Sequence, residues 1–140
     1  MRRIVFATGN EGKLREIRNI MADLPVEIVS MKEAGIEAEI EETGETFEEN
    51  AKIKAQAVAT HTDDIVLADD SGLEIDYLNK EPGVYSARYL GENTSYEIKN
   101  RTILDRLAGV EKEKRTARFV CAIAAVLPNK ETLVTRETIE

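Results

Sequence analysis

The sequence is poor in the residues that build disulfide-stapled, histidine-ligated or membrane-spanning proteins. Its single cysteine, Cys121, excludes an internal disulfide and fits a reducing cytoplasm. Its single histidine, His61, excludes a metal site made of several histidines, and nothing around it indicates a Ser-His-Asp triad. No apolar run approaches the roughly 20 residues that cross a bilayer, and the apolar part of the N-terminus is too short for a signal peptide. We therefore expect a globular, cytoplasmic protein with no membrane partner.

Positive charge falls short of negative charge, and the deficit is local. The net charge is −8, and residues 33–49 hold eight carboxylates without a Lys or Arg, whereas the rest of the chain holds 19 acidic and 19 basic residues. A general nucleic-acid binder would show a basic face, so nucleic acid is not an expected partner. An acidic block is most often a solvated loop or helix face, and most of its members need no further function.

No repeat, low-complexity segment or linker divides the chain, so we predict a single domain over residues 1–140. Apolar runs predict strands at 4–7, 26–31, 65–68, 117–127 and about 132–139. Residues 73–77 either continue the third strand or form its hairpin partner. Strands that alternate with helices predict an α/β fold with a mixed central sheet and flanking helices.

Three helices are predicted between these strands. The first follows Gly12 and ends at Pro25, with Leu14 and Leu24 on its apolar face. The second begins near Phe47 after a capping box, and its apolar face consists of Phe47, Ala51, Ala55 and Val58. A second capping box at 94–97 opens the third helix, whose inward residues are predicted to be Ile98, Leu104 and Leu107.

The segment Thr8-Gly-Asn-Glu-Gly-Lys13 lies between a predicted strand and a helix N-terminus. Such a turn offers unpaired backbone N–H groups and the positive end of a helix dipole, which suit a phosphate, and Lys13 adds a cation. A P-loop would need Gly at position 7 and Ser or Thr at position 14, where Ala7 and Leu14 stand instead. By itself, the turn fits a phosphate site and a plain strand-to-helix connection equally well.

Two adjacent carboxylates, Asp69 and Asp70, follow the apolar run 65–68. They come after the end of the predicted strand, where α/β folds place ligand groups. Like charges repel unless a cation lies near them, and Mg²⁺ commonly joins one or two carboxylates to substrate phosphates. Taken alone, such a pair is more often a solvated polar turn. Glu42 is the residue of the acidic block best placed to add a third ligand, although little separates it from Glu41.

Several segments occur in order and reinforce one another. They are Thr8–Lys13, Glu41–Ala51, Ala68–Leu73, Pro82–Tyr89 and Arg115–Cys121. Together they resemble the inosine triphosphate pyrophosphatase family, also called Ham1-like, along the whole chain. The resemblance implies Mg²⁺-dependent hydrolysis of the deaminated purine nucleotides ITP, dITP and XTP to the monophosphate and pyrophosphate. It also implies a homodimer and an elongated two-lobed α/β fold with the site in a cleft.

The same resemblance implies roles for individual residues. The substrate-binding residues would be Thr8, Gly9, Asn10, Glu11, Gly12, Lys13, Lys54 and Ser71. The metal would be held by Glu42, Asp69 and Asp70. Asp70 would act as the base that activates water, and the cations of Lys13 and Lys54 would balance charge that develops during phosphoryl transfer.

The chain departs from the family pattern on its C-terminal side. The Gly-Phe-Gly-Tyr-Asp-Pro and Ser-His-Arg segments, which grip the purine base in the family, are absent. We therefore expect a domain that is incomplete at its C-terminus, as a piece of a longer protein or as a shortened natural form. The alternative to an enzyme is a non-catalytic nucleotide-binding or dimerisation module. An aspartyl-nucleophile phosphatase would need Asp-x-Asp, and Maf-like pyrophosphatases carry a Ser-rich turn, so both fit less well.

Overall fold

The computed structural model describes residues 2–91 and 94–140 of the chain. The strands are β1 (Arg2–Phe6), β2 (Val26–Ser30), β3 (Ile65–Ile75), β4 (Glu81–Pro82), β5 (Ala117–Val126) and β6 (Thr132–Ile139). The helices are α1 (Glu11–Ile20), α2 (Phe47–Ala59) and α3 (Tyr96–Arg106), with short 3₁₀ helices at Asp76–Leu78, Gly83–Arg88 and Lys112–Lys114. The strands form one sheet in the order β2-β1-β3-β5-β6, with β4 paired to β3. The predicted mixed α/β fold is confirmed.

The parallel part of the sheet brings two of the predicted site segments to the same edge. β1 pairs in parallel with β2 and β3, and Phe6 lies opposite Leu67. One further backbone hydrogen bond, from Ala7 N–H to the Leu67 carbonyl at 2.8 Å, extends this pairing. The turn that follows β1 therefore starts beside the stretch of β3 that carries Asp69.

Helices α1 and α2 begin at the caps that their sequences indicate. Asn10 Oδ1 accepts a 3.1 Å hydrogen bond from the Lys13 N–H, and Thr46 Oγ1 accepts one of 3.1 Å from the Glu49 N–H. Such caps are worth about 1 kcal/mol each. The predicted end of α1 at Pro25 is wrong, because the helix stops at Ile20 and residues 21–25 turn towards β2. None of the helices in the described part of the chain is long and apolar enough to cross a membrane.

The chain divides into two compact units and passes between them within β3, within β5 and within β6. The first contains the described residues up to Asp70 and Ala122–Arg136, and the second contains Ser71–Cys121 and Glu137–Glu140. In the first unit, the predicted apolar face of α2 is confirmed: Phe47, Ala51, Ala55 and Val58 are all buried. Burying a side chain such as Val58 stabilises the fold by about 1.5–3 kcal/mol.

The second unit has its own core of Ile75, Leu78, Ile103 and Leu107. Leu107 was predicted to face inward, and it does. Ile98 and Leu104 were predicted to do the same, and this is wrong, because both are more than half exposed.

The cap of α3 is also one residue later than the capping box suggests. Ser95, not Thr94, caps the helix by accepting a hydrogen bond from the Ile98 N–H. The residue that turns inward is Lys99, which donates a 2.7 Å hydrogen bond to the Ala87 carbonyl. This bond satisfies a buried ammonium group that an apolar pattern could not reveal.

Candidate active site

The turn between β1 and α1 is exposed and held by its own side chains. Thr8 Oγ1 accepts a 3.1 Å hydrogen bond from the Asn10 N–H, and Asn10 in turn caps α1. Residues 9–12 are exposed, and Thr8 and Lys13 are half-buried. The helix dipole and the first N–H groups of α1 make this end of the helix favourable for an anion.

A bond between Lys13 and Asp69 joins this turn to β3. Lys13 Nζ lies 3.0 Å from Asp69 Oδ2, and the Asp69 side chain is only 10% exposed. A charge-assisted bond of this length fixes both side chains. The structure therefore brings the predicted phosphate turn and the predicted carboxylates together.

Lys54 makes a second connection to the same stretch of β3. Its ammonium lies 2.7 Å from Glu42 Oε1 and donates a 2.9 Å hydrogen bond to the backbone carbonyl of Asp69. This contact distinguishes Glu42 from its neighbour Glu41, which is exposed. One cation from α2 thus holds a carboxylate of the acidic block close to β3.

The prediction that Asp69 and Asp70 follow the end of a strand is wrong. Both residues lie inside β3, which runs without a break to Ile75. The segment 73–77 was open between a continuation and a hairpin partner, and its first three residues are a continuation. Asp69 repels the neighbouring Asp70 carboxyl group. The Lys13 ammonium, 3.0 Å from Asp69 Oδ2, offsets one of the two adjacent like charges.

The Asp70 carboxyl group has an unusual affinity for protons. Its pKa is raised from 3.8 to about 6, chiefly because burial penalises the charged form and secondly because Glu42 repels it. The Asn50 amide and the Lys54 ammonium act in the opposite direction, and Asp69 adds a smaller repulsion. A carboxylate with a pKa between its ordinary value and neutrality is suited to accept a proton.

The donor set at this site fits a hard divalent cation. Asp69 Oδ1 and Asp70 Oδ2 are buried, and neither has a hydrogen-bond partner among the described residues. Over residues 2–91 and 94–140, no three His, Cys, Asp or Glu side chains gather into a ready-made metal cage. Mg²⁺ seldom uses such a cage, because it is commonly held by one or two carboxylates together with substrate phosphates. The assignment of Glu42, Asp69 and Asp70 as ligands stays a prediction.

Comparison with known proteins gives this arrangement a family. The model of the Ham1 family matches residues 4–140. The dITP/XTP pyrophosphatases of Bacillus licheniformis and Bacillus subtilis are each 47% identical over 140 residues, which cover 100% of this chain and 71% of each relative. The dITP/XTP pyrophosphatase of a Thermoanaerobacter species is 52% identical over 94% of the chain and 67% of its own length.

This chain belongs to the Ham1 family. Solved structures agree, since the Staphylococcus aureus Ham1 protein superposes with a TM-score of 0.87 at 42% identity. A HAM1 protein from Coxiella burnetii superposes with a TM-score of 0.88 at 38% identity. These matches cover 99% of the chain and 70% and 71% of the two structures, respectively. The predicted membership in a family of nucleotide pyrophosphatases is confirmed.

One predicted site residue of this Ham1-family chain belongs to the second compact unit. Ser71 directly follows Asp70 in β3, but it is the first residue of the second compact unit. Its role in substrate binding stays a prediction. Asn50 interacts with Asp70, and the Gly44 N–H is bonded to Asn50, yet neither residue was predicted as a site residue. The available signal was an amide within the otherwise apolar face of α2.

A groove of about 1010 Å³ adjoins the turn between β1 and α1. Among its lining residues are Thr8, Asn10 and Glu11 from the turn and Arg15 and Arg18 from α1. Arg18 is engaged there in a 2.7 Å ion pair with Glu33. Glu42, Lys54, Asp69 and Asp70 are not among its described lining residues. The groove therefore shares the turn with the candidate site but does not contain the carboxylates.

Proposed function

We propose that this Ham1-family chain hydrolyses ITP, dITP and XTP to the nucleoside monophosphate and pyrophosphate, with Mg²⁺ as cofactor, and so removes deaminated purines from the nucleotide pool. The observation that carries the proposal is the bond from Lys13 to Asp69, because it joins an anion-binding turn to buried carboxylates. The names of the bacterial relatives support the choice of substrate.

The turn binds the triphosphate. The backbone N–H groups of Gly9, Glu11 and Gly12 and the side chains of Thr8 and Asn10 supply donors, and Lys13 supplies a positive charge. When a phosphate arrives, Lys13 exchanges its contact with Asp69 for one with a phosphate oxygen. The Asp69 carboxylate is thereby freed to bind a cation.

Three carboxylates, of which Asp69 and Asp70 are buried, would hold the metal. Glu42, Asp69 and Asp70 provide only oxygen ligands. Asp69 Oδ1 and Asp70 Oδ2 are buried and have no hydrogen-bond partner among the described residues, so these two atoms gain most from a cation. When bound, Mg²⁺ neutralises phosphate charge and polarises the bond to be broken.

Asp70 is the base in the proposed reaction. Its carboxylate takes a proton from a water molecule, whose oxygen attacks the α-phosphorus as the bond from that phosphorus to the bridging oxygen of the β-phosphate breaks. The electron pair of that bond leaves with pyrophosphate. Lys54, held 2.7 Å from Glu42, stabilises the negative charge that accumulates on the phosphates.

We further propose that the chain works as a homodimer, which rests on the family resemblance alone. We also propose that it acts in the cytoplasm and that neither nucleic acid nor a membrane is its partner. The acidic net charge of −8 supports the exclusion of nucleic acid.

The proposal is tested by turnover of ITP and of ATP with Mg²⁺, with pyrophosphate measured separately from phosphate. Pyrophosphate from ITP supports the proposed function, and equal release from both nucleotides would assign the chemistry without base selectivity. The rival is a nucleotide-binding module without catalysis, which would bind Mg²⁺-ITP and release no product.

A further inference from the structure

Asn50 is the least exposed of the buried polar residues in the described part of the chain. Its exposed fraction is 0%, and it lies on α2 between the buried residues Phe47 and Ala51. Burial of an amide costs free energy unless its oxygen and nitrogen find partners. Asn50 therefore costs free energy of burial at a position where an apolar side chain would pack without that cost.

The oxygen of this amide holds the acidic segment. The Gly44 N–H donates a 2.7 Å hydrogen bond to Asn50 Oδ1. Because a backbone N–H can only donate, the side-chain atom that faces it must be the oxygen, and the orientation of the amide is fixed. A Cβ at position 44 would lie 2.7 Å from Asn50 Oδ1, so only glycine permits this approach. Asn50 thus ties the segment that carries Glu42 to α2.

The nitrogen of the amide serves Asp70. With Oδ1 committed to Gly44, only the Asn50 nitrogen is left to interact with the Asp70 carboxyl group. Asn50 Nδ2 and Asp70 Oδ2 are both buried, and neither completes a hydrogen bond of ordinary geometry with a described residue. The donor and the acceptor are thus both available at the reaction site.

We propose that Asn50 is a positioning residue: its single amide holds the Glu42 segment through Gly44 and orients the Asp70 carboxylate. The inference rests on the proposed function, in which Asp70 is the base and Glu42 binds the metal. The amide touches neither substrate nor metal and acts only through these two carboxylates.

Two substitutions in the full chain distinguish the role of the Asn50 side-chain oxygen from the role of its nitrogen. Asn50→Asp keeps the acceptor for Gly44 but replaces the donor that serves Asp70, and we expect kcat for Mg²⁺-ITP to fall ~100-fold with little change in KM. Amide hydrogen exchange at Gly44 should stay as slow as in the wild type. Asn50→Ala removes both atoms, so exchange at Gly44 should accelerate at least ~10-fold as its hydrogen bond is lost. Gln56→Ala, which removes an exposed amide from the same helix, is the matched control and should alter neither readout.

Each result decides the inference. A wild-type kcat in Asn50→Asp, or unchanged Gly44 exchange in Asn50→Ala, would overturn it. If the wild-type chain itself releases no pyrophosphate, the proposed function fails. The positioning role of Asn50 is then tested by the NMR signal of its side-chain amide. A shift of that signal in Asp70→Asn supports the positioning contact, and an unchanged signal refutes it.

Discussion

Lys54 Nζ lies 2.7 Å from Glu42 Oε1, although the two residues belong to a helix and to an acidic segment that precedes it. The same ammonium group donates a hydrogen bond to the Asp69 carbonyl. Glu42 is therefore not part of a solvated acidic face, the interpretation that suits most of the block 33–49. Its carboxylate is drawn to β3, beside the residue proposed as the base.

Lys54→Met should lower kcat for ITP by ~100-fold or more, because it removes a cation aimed at the developing charge and releases Glu42. Initial rates at saturating Mg²⁺ measure this effect. Lys52→Met is the matched control, since Lys52 lies on the same helix and is exposed. Equal losses in the two variants would contradict a role for Lys54 at the site.

Lys13→Met should act mainly on kcat/KM, with a loss of ~100-fold, because the proposed exchange of Lys13 from Asp69 to phosphate contributes to binding and to the transition state. Steady-state kinetics with ITP measure the change. Arg15→Met changes a cation two residues later on α1 and should cost far less. A Lys13→Met variant with wild-type kcat/KM would remove the turn from the proposed mechanism.

Asp70→Asn should stabilise the metal-free protein near neutral pH while abolishing turnover. The folded-state pKa of Asp70 is raised from 3.8 to about 6, so the folded chain binds the proton more tightly than the unfolded chain does. The stability that this proton brings is complete below pH 3.8 and is lost as the pH rises through about 6. A shift of two units corresponds to about 3 kcal/mol, and solvent screening reduces the expected gain to about 1–2 kcal/mol.

Urea unfolding in EDTA, at neutral pH and again near pH 4, measures this gain. The advantage of Asp70→Asn should be present at neutral pH and should largely disappear in acid. A variant that is less stable than the wild type at neutral pH would show that Asp70 is not held at an electrostatic cost.

Gly44→Ala should destabilise the chain by about 1–3 kcal/mol, because the added Cβ would lie 2.7 Å from both Asn50 Oδ1 and Glu49 Cβ. Thermal unfolding measures the loss. Gly9→Ala is the control, since a Cβ there meets no atom within 4 Å. Similar melting temperatures for Gly44→Ala and the wild type would mean that the approach of Asn50 is not tight in solution.

Much of the fold could be predicted because the pattern and the burial coincide. The apolar face of α2 repeats at helical spacing, and Thr46 provides its cap, so this helix was predicted correctly. The face of α3 was not, because Lys99 is buried and bonded to the Ala87 carbonyl, a contact that an apolar pattern does not show. Its cap is Ser95, although the adjacent Thr94 fits the sequence pattern as well.

The sequence locates the central segment of the site but does not predict its secondary structure. Asp69 and Asp70 mark a functional position, yet the polar run after Ala68 looks like the end of a strand. Their inclusion in β3 depends on cations from distant parts of the chain, Lys13 and Lys54, which neutralise a carboxylate and bind a backbone oxygen. Sequence spacing cannot show such contacts between distant segments.

The most direct test of the account compares pyrophosphate release from ITP by the wild type and by Asp70→Asn, each with Mg²⁺ and with EDTA. The account predicts pyrophosphate only from the wild type with Mg²⁺, and a loss of at least ~1,000-fold on replacing the base. Undiminished release by Asp70→Asn would contradict the assignment of Asp70, and undiminished release in EDTA would contradict the metal-dependent reaction.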